Sequence, residues 1–183
     1  MTYYGAKDLA ESFRTVRKNT IQAAEEIPES QYGFKASSDS KTVEKLLTHI
    51  ALGFSFQHQF HAVEKRKNFE GLDFPVLFAK FRAEEEKSRT KAEVIALLKE
   101  TGDGWASFLD GLTEDFLAET ITMPTGSTPA SKSRFEMILS VKEHEMHHRA
   151  QIMLIQRMIG IVPHLTRQFQ ERMAQNQAQT AKS

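Results

Sequence analysis

Three histidines lie within five residues of one another in the stretch VKEHEMHHRAQIML, residues 141–154. His144 and His148 are four residues apart, so on an α-helix their imidazoles lie on one face and can reach a single metal ion. At about 100° per residue, His148 falls in the middle of the apolar stripe of this helix and His144 about 40° to one side. His147 falls at the edge of the stripe, and Glu143 is predicted to face solvent.

A tight metal site needs at least three protein ligands, and a separate apolar segment contains another histidine. His49 stands beside the stripe formed by Leu46 and Ile50. Taken alone it would be a hydrogen-bonded structural residue, but two inward imidazoles each need a partner for their polar nitrogens, which a metal ion supplies. The pattern therefore favours a metal site with His144, His148 and His49. The remaining histidines are interpreted as surface residues: His58, His61, His147 and His164.

Residues 144–148 also match H-E-x-x-H, the zinc-protease pattern in which the glutamate activates water. The extended pattern requires glycine at position 151 and histidine at 154, where this chain has Gln151 and Leu154. A downstream glutamate ligand would have to be Glu171, in a polar C-terminal segment. No segment is predicted to form a strand that could align a peptide substrate. We therefore reject the protease interpretation.

The composition excludes several other classes. The chain has 183 residues, with 24 Lys and Arg against 24 Asp and Glu, so no global field favours nucleic acid or an anionic membrane. It has no cysteine, which excludes disulfides, cysteine nucleophiles and thiolate ligands. The N-terminus has no signal pattern, and no apolar run approaches the roughly 20 residues that span a bilayer. We expect a soluble, cytoplasmic protein.

The elements that must position the histidines are helical. Helices are predicted from about residue 6 to 26, from the serine-rich cluster 37–40 to about 64, from the Thr90 capping box to about 112 with a possible kink at Gly102 and Gly104, and from 133 to 160. We also predict a short helix near Phe78 and loops at 68–75 and 120–132. No strand is predicted. The fold is predicted to be all-α, a four-helix bundle with one long crossover loop over residues 1–165. A helical or frayed tail is predicted over 166–183.

Residues 144–152, followed by an apolar helix that ends at Gly160, resemble the last-helix signature of the DinB/YfiT-like superfamily. Residues 43–50 resemble that family's pattern around its first ligand, and the resemblance spans about residues 6–165. It implies a four-helix-bundle metalloprotein, frequently a homodimer, that binds zinc or nickel. The ligands that it implies are His49, His144 and His148. One departure is Ala150, where the family commonly has glycine.

Three functional hypotheses follow. Characterised members of the family include bacillithiol transferases and mycothiol-dependent maleylpyruvate isomerase, which implies a metal that activates a low-molecular-weight thiol towards an electrophile. Three neutral histidines leave open positions on the ion, so activation of water for hydrolysis is the second hypothesis. A non-catalytic, metal-binding stress-response protein is the third.

The role of Glu145 is open in the sequence. It is either a catalytic base or acceptor beside the metal, or a surface residue paired with Arg149 at i+4. The substrate pocket is equally open, because aromatic residues at helical spacing also suit a plain core. The candidates for its lining are Phe54, Phe56, Phe60 and Trp105.

Overall fold

The computed structural model describes residues 4–180. Its α-helices are α1 Ala6–Glu26, α2 Val43–Leu52, α3 Ser55–His58, α4 Phe74–Glu85, α5 Lys91–Asp110, α6 Glu114–Ala118, α7 Arg134–Met158 and α8 His164–Thr180. A π-helix, Gln59–Val63, continues α3 directly, and a short 3-10 helix spans Glu29–Gln31. Strands β1 Thr120–Thr122 and β2 Ser131–Ser133 pair antiparallel. The predicted helical fold is confirmed, and no helix within residues 4–180 is both long and apolar enough to cross a membrane.

Four helices form the bundle, because α1 and α2 each pack against both α5 and α7. Its core consists of two apolar clusters. One cluster joins the end of α1 to the start of α5 and the end of α7, and it also contains residues 43–51 of α2. The other joins the start of α1 to the end of α5 and the start of α7. Helices α1 and α7 therefore run in one direction and α5 in the other. Helix α2 runs with α5, since Phe54, just beyond its end, packs on the second cluster.

The second helix differs from its prediction at both ends. Its N-cap is Thr42, whose side chain accepts a hydrogen bond from the Lys45 backbone N–H at 3.1 Å, rather than a residue of the 37–40 cluster. The α-helix ends at Leu52, and the chain turns through Gly53 before α3 and the π-helix begin. The predicted extension to about residue 64 is therefore wrong, and the helical phase is not maintained across the break.

Two predicted loops contain regular structure. Pro75 lies in the first turn of α4, where its missing N–H costs no helical hydrogen bond, and Asp73 caps that helix. Strands β1 and β2 occupy the predicted long loop, so the prediction of no strand was wrong. β-branched residues favour extended backbone, and the central residue of β1, Ile121, is buried against Phe60 and Met137.

Helix α5 is unbroken through the two glycines that suggested a kink. Gly102 has a packing role instead, because a Cβ there would lie 2.7 Å from Cγ of Arg17 on α1. Helix α8 extends the helical tail to Thr180. It is joined to α1 by an ion pair between Arg167 and Glu26, with a nitrogen–oxygen distance of 2.6 Å.

Candidate metal centre

The three histidines predicted as ligands meet where α2 packs against α7. Nε2 of His144 lies 3.1 Å from Nε2 of His49 and 3.1 Å from Nε2 of His148. The three ligand atoms all lie within 4.8 Å of one another. Two nitrogens bound to one tetrahedral zinc at about 2.0–2.1 Å would stand about 3.3 Å apart. The arrangement, here called the histidine cluster, therefore has the spacing of a three-nitrogen site for one ion.

Hydrogen bonds fix which nitrogen carries the proton in two of these rings. Nδ1 of His49 lies 2.7 Å from a carboxylate oxygen of Glu85, and Nδ1 of His148 lies 2.8 Å from the amide oxygen of Gln151. Both oxygens only accept, so each Nδ1 must donate, and in the neutral ring each Nε2 then keeps its lone pair towards the cluster. A proton on His144 Nε2 could satisfy only one of these two lone pairs. A cation can accept the Nε2 lone pairs of all three histidines.

Burial keeps His144 and His148 uncharged near neutral pH. It lowers the pKa of His144 to about 4, with the neighbouring histidines His148 and His49 acting in the same direction. Burial also lowers the pKa of His148, against an opposing effect of its hydrogen bond to Gln151. Neutral imidazole is the form that binds a metal, so no proton has to be displaced from these two rings at pH 7.

Gly53 is part of the site because it leaves room for a ring. A Cβ at this position would lie 2.7 Å from both Cε1 and Nδ1 of His144, closer than such atoms approach in real proteins. The turn after α2 therefore brings backbone against the His144 imidazole. The sequence prediction missed Gly53, Glu85 and Gln151. Gly53 stands four residues after His49 and Gln151 three after His148, which is a usable signal, but Glu85 lies on an element whose position the sequence does not give.

A cavity of about 290 Å³ borders His144. Its walls come from the turn and helix that follow α2 and from α7: Gly53, Phe56, Gln57, Ser140, Val141 and His144. Of the four aromatic residues predicted as a lining, Phe56 is found there. The other three pack in the core: Phe54 lies against Trp105 with ring centroids 5.6 Å apart, and Phe60 is buried beside Ile121.

Glu145 is buried, which excludes the surface alternative that the sequence offered. It is 1% exposed, so it is not a surface residue. Its carboxylate accepts hydrogen bonds from Nε of Arg17 at 3.0 Å and from the Thr20 hydroxyl at 2.7 Å. Arg17 in turn donates to the Leu98 carbonyl at 2.7 Å and to Thr101 at 3.0 Å. The Glu145 carboxylate is therefore held in a buried network among α1, α5 and α7.

The remaining histidines differ in how far they are buried. His147 is exposed, as predicted, and His58 is half-buried. His61 and His164 are buried, so their surface assignment was wrong. The prediction assumed one continuous helix. The break after α2 and the π-helix turn His61 to a different face from the one it would have on that helix. His164 opens α8, and its Nε2 lies 3.2 Å from the side-chain oxygen of Asn19 on α1.

The chain matches a known protein family over most of its length. The model of the DinB superfamily matches residues 12–152. The chain belongs to the DinB superfamily. The family that the sequence resembles is therefore confirmed.

Two proteins of Bacillus subtilis are similar to this chain. YjoA of strain 168, an uncharacterised protein, is 26% identical over 155 residues, which cover 85% of this chain and 91% of YjoA. The crystal structure of YjoA, a DinB-like protein, superposes with a TM-score of 0.57 at 24% identity, covering 83% of this chain and 92% of that one. YfiT superposes with a TM-score of 0.66 at 17% identity, covering 88% and 91%. YfiT is described as a probable metal-dependent hydrolase with an unusual four-helix bundle topology. These similarities confirm the four-helix-bundle fold.

Proposed function

We propose that this protein binds one divalent metal ion, zinc or nickel, through His49, His144 and His148, and uses it to activate a low-molecular-weight thiol for transfer to a small electrophile. The observation that carries the proposal is the convergence of three Nε2 atoms, two of which must present lone pairs. Such a donor set is typical of catalytic zinc sites, which keep a position free for substrate.

A divalent ion held by three neutral ligands keeps its positive charge and lowers the pKa of a thiol or water that coordinates it. The chain's own residues prepare the site. Glu85 and Gln151 orient two of the rings, and Gly53 admits the third. Glu145 is engaged with Arg17, which supports a reaction that needs no carboxylate base. A coordinated thiol with a lowered pKa would lose its proton to solvent and need no such base, and the cosubstrate supplies the sulfur that this cysteine-free chain lacks.

Hydrolysis is the second candidate function. The observation in its favour is the description of YfiT as a probable metal-dependent hydrolase. The same histidine cluster would then activate water in place of a thiol. The cavity beside His144 would hold the acyl or other electrophilic group in either reaction.

The proposal includes a second copy of the chain and a cytoplasmic location. Met146, Leu154 and Met158 lie at multiples of four residues along α7 and are 43%, 58% and 50% exposed, which gives that helix an apolar outer stripe. An isologous dimer would cover this stripe. The cytoplasm supports the proposed reaction because it keeps thiols reduced.

Metal analysis of four proteins tests the metal. Wild type and His147→Ala should each retain about one equivalent of zinc or nickel after metal-replete purification and gel filtration. His148→Ala and His49→Ala should retain less than a fifth of that. His147 is the matched control because it stands on the same helix but is exposed. Wild type without bound metal, or equal metal in all four proteins, would contradict the site.

Activity assays on the zinc- and nickel-loaded proteins separate the two candidate reactions. Thiol transfer is followed as loss of free thiol with 1-chloro-2,4-dinitrobenzene, and hydrolysis as release of p-nitrophenolate from p-nitrophenyl acetate. We expect metal-dependent thiol loss that His148→Ala removes and His147→Ala retains. Metal-dependent ester hydrolysis without thiol loss would assign the site to the second candidate. If the metal-loaded protein shows neither activity, a non-catalytic metal protein is the hypothesis that remains.

A further inference from the structure

A chain of hydrogen bonds through two buried side chains ends at Gln57, in the wall of the cavity beside His144. It begins at Arg134, the first residue of α7, which is 0% exposed. The Arg134 guanidinium donates from Nε to Glu119 at 3.0 Å and from Nη2 to the Arg66 carbonyl at 2.9 Å. Its third nitrogen, Nη1, lies 2.8 Å from Nδ1 of His61. Three groups on different elements thus fix the guanidinium in place.

Arg134 determines which nitrogen of His61 carries the proton. A guanidinium has only donors and stays charged, so Nδ1 of His61 must accept. The ring is neutral, because burial, and then the charge of Arg134, lower the pKa of His61 to about 3. A neutral imidazole that accepts at Nδ1 has its proton on Nε2. His61 is therefore held as the Nε2–H tautomer.

His61 in turn determines the orientation of the Gln57 amide. Nε2 of His61 lies 2.8 Å from Oε1 of Gln57 and donates its hydrogen to that oxygen. A reversed amide would set its own N–H groups against the Nε2–H donor, so the network excludes that orientation. The oxygen of Gln57 is therefore occupied, and the group that Gln57 has left to offer is its pair of N–H bonds.

Besides Gln57, the side chain of this cavity that can donate is the imidazole of His144. Ser140 donates its hydroxyl hydrogen to the Met137 carbonyl at 2.6 Å, which leaves its oxygen to accept. Phe56, Val141 and Gly53 contribute apolar wall. The volume of about 290 Å³ is close to the lower limit of small-molecule pockets, about 300 Å³.

We infer that Gln57 is a specificity-determining residue, whose fixed amide N–H donates to a carbonyl-type oxygen of a small, mostly apolar molecule bound beside His144. The inference rests on the proposed function, because it names the class of electrophile that meets the activated thiol. Arg134 sets the orientation of the amide through two successive hydrogen bonds, from Arg134 to His61 and from His61 to Gln57. A fixed donor costs less ordering on binding than a freely rotating one.

Binding of two matched probes tests the inference. Acetophenone carries a carbonyl oxygen, and α-methylstyrene replaces that oxygen by a CH₂ group of similar shape. Affinities are measured by NMR titration in metal-free and in zinc-loaded protein, with the Gln57 side-chain N–H resonances as a local reporter. We expect metal-free wild type to bind acetophenone about five- to tenfold more tightly, as one net hydrogen bond allows. The Gln57 resonances should move with acetophenone.

Two substitutions and a control complete the test. Gln57→Met removes the amide, so both probes should bind with equal affinity within about twofold. Gln57→Glu keeps an acceptor for His61 but replaces the donor by a negative oxygen, so acetophenone should become the weaker probe. Gln175→Glu, the same change at an exposed position of α8, should retain the wild-type preference.

Three outcomes would overturn the inference: equal affinity of the two probes in wild type, a preference that persists in Gln57→Met, or no binding of either probe. A preference seen only with zinc and unaffected by Gln57→Met would mean that the metal binds the oxygen, and would also overturn it. Because the decisive measurement uses metal-free protein, it is independent of metal content and thiol turnover. A failure of the proposed function would leave the probe preference intact. Equally, a missing probe preference would leave metal binding and thiol turnover untouched.

Discussion

Gly53 is the residue on which the position of the third imidazole depends. The close approach of its backbone to His144 means that any side chain at position 53 must push the ring aside. His144 is the central member of the histidine cluster, within 3.1 Å of both other Nε2 atoms. A small displacement of this ring therefore changes two of the three nitrogen–nitrogen distances in the cluster.

Gly53→Ala should weaken zinc binding about 10- to 100-fold, the range for residues that orient a ligand, with the metal-free fold retained. Competition with a chromophoric chelator measures the affinity, and urea unfolding of metal-free protein measures the fold. Gly104→Ala is the matched control, because a Cβ there meets no atom within 4 Å. Unchanged zinc affinity in Gly53→Ala would contradict a steric role for position 53.

Sequence spacing was enough to bring the three histidines together, but not to give their partners. His144 and His148 share a face because they are four residues apart on one uninterrupted helix. His49 could be selected because it borders an apolar stripe. The acceptor for His49 is Glu85 on α4, and no local pattern says where α4 packs. The partner of Glu145 is Arg17, 128 residues away in the chain.

At the scale of elements, the Arg17–Glu145 pair joins three of the four bundle helices. It lies between the two apolar clusters, with side chains 5% and 2% exposed and a closest Nη2–Oε2 distance of 3.0 Å. Arg17 also reaches the Leu98 carbonyl on α5. A buried pair of this kind gives little net stability, but removal of one partner leaves an uncompensated charge.

Glu145→Ala should lower the free energy of unfolding of metal-free protein by about 3–5 kcal/mol, because Arg17 then remains buried without its carboxylate. The double substitution Arg17→Met with Glu145→Met should recover most of this loss. Urea unfolding followed by circular dichroism measures both. Glu143→Ala, at an exposed position two residues earlier on α7, should change stability by less than about 0.5 kcal/mol. If Glu145→Ala also loses less than about 0.5 kcal/mol, the proposed role of the pair is contradicted.

Element prediction succeeded where one helical period continues without interruption and failed where the period changes. Helix α1 was predicted with its observed bounds, Ala6–Glu26, and its apolar residues keep one phase throughout. The second helix was extended too far because Gly53 and the π-helix shift the phase while apolar residues continue. That shift is also why the direction of His61 was predicted wrongly. The loop predicted at 68–75 is too long at its end, because Pro75 lies in the first turn of α4.

At the scale of the whole molecule, the histidine cluster would let one ion tie α2 to α7. These helices are joined by packing, but their connection runs through α4, α5 and the two strands. An ion that binds the native state and not the unfolded chain stabilises the fold by mass action. The stabilisation then depends on the free metal concentration.

Zinc at about 1,000 times its dissociation constant should stabilise wild type by about 4 kcal/mol. At about 2–4 °C per kcal/mol for a chain of this size, Tm should rise by roughly 8–16 °C, and excess EDTA should reverse the rise. Differential scanning calorimetry measures both changes. His147→Ala should show the same increase and His148→Ala almost none. An equal increase in His148→Ala would mean that zinc stabilises the protein elsewhere.

The distance along the chain between the proposed ligands also sets the order of events during synthesis. His49 precedes His144 by 95 residues. At about 5–20 residues per second, His49 leaves the ribosome roughly 5–20 s before the first histidine of α7. During that interval the nascent chain holds one of the three nitrogens. Coordination of the proposed ion by all three ligands would therefore have to wait until most of the chain has been synthesised.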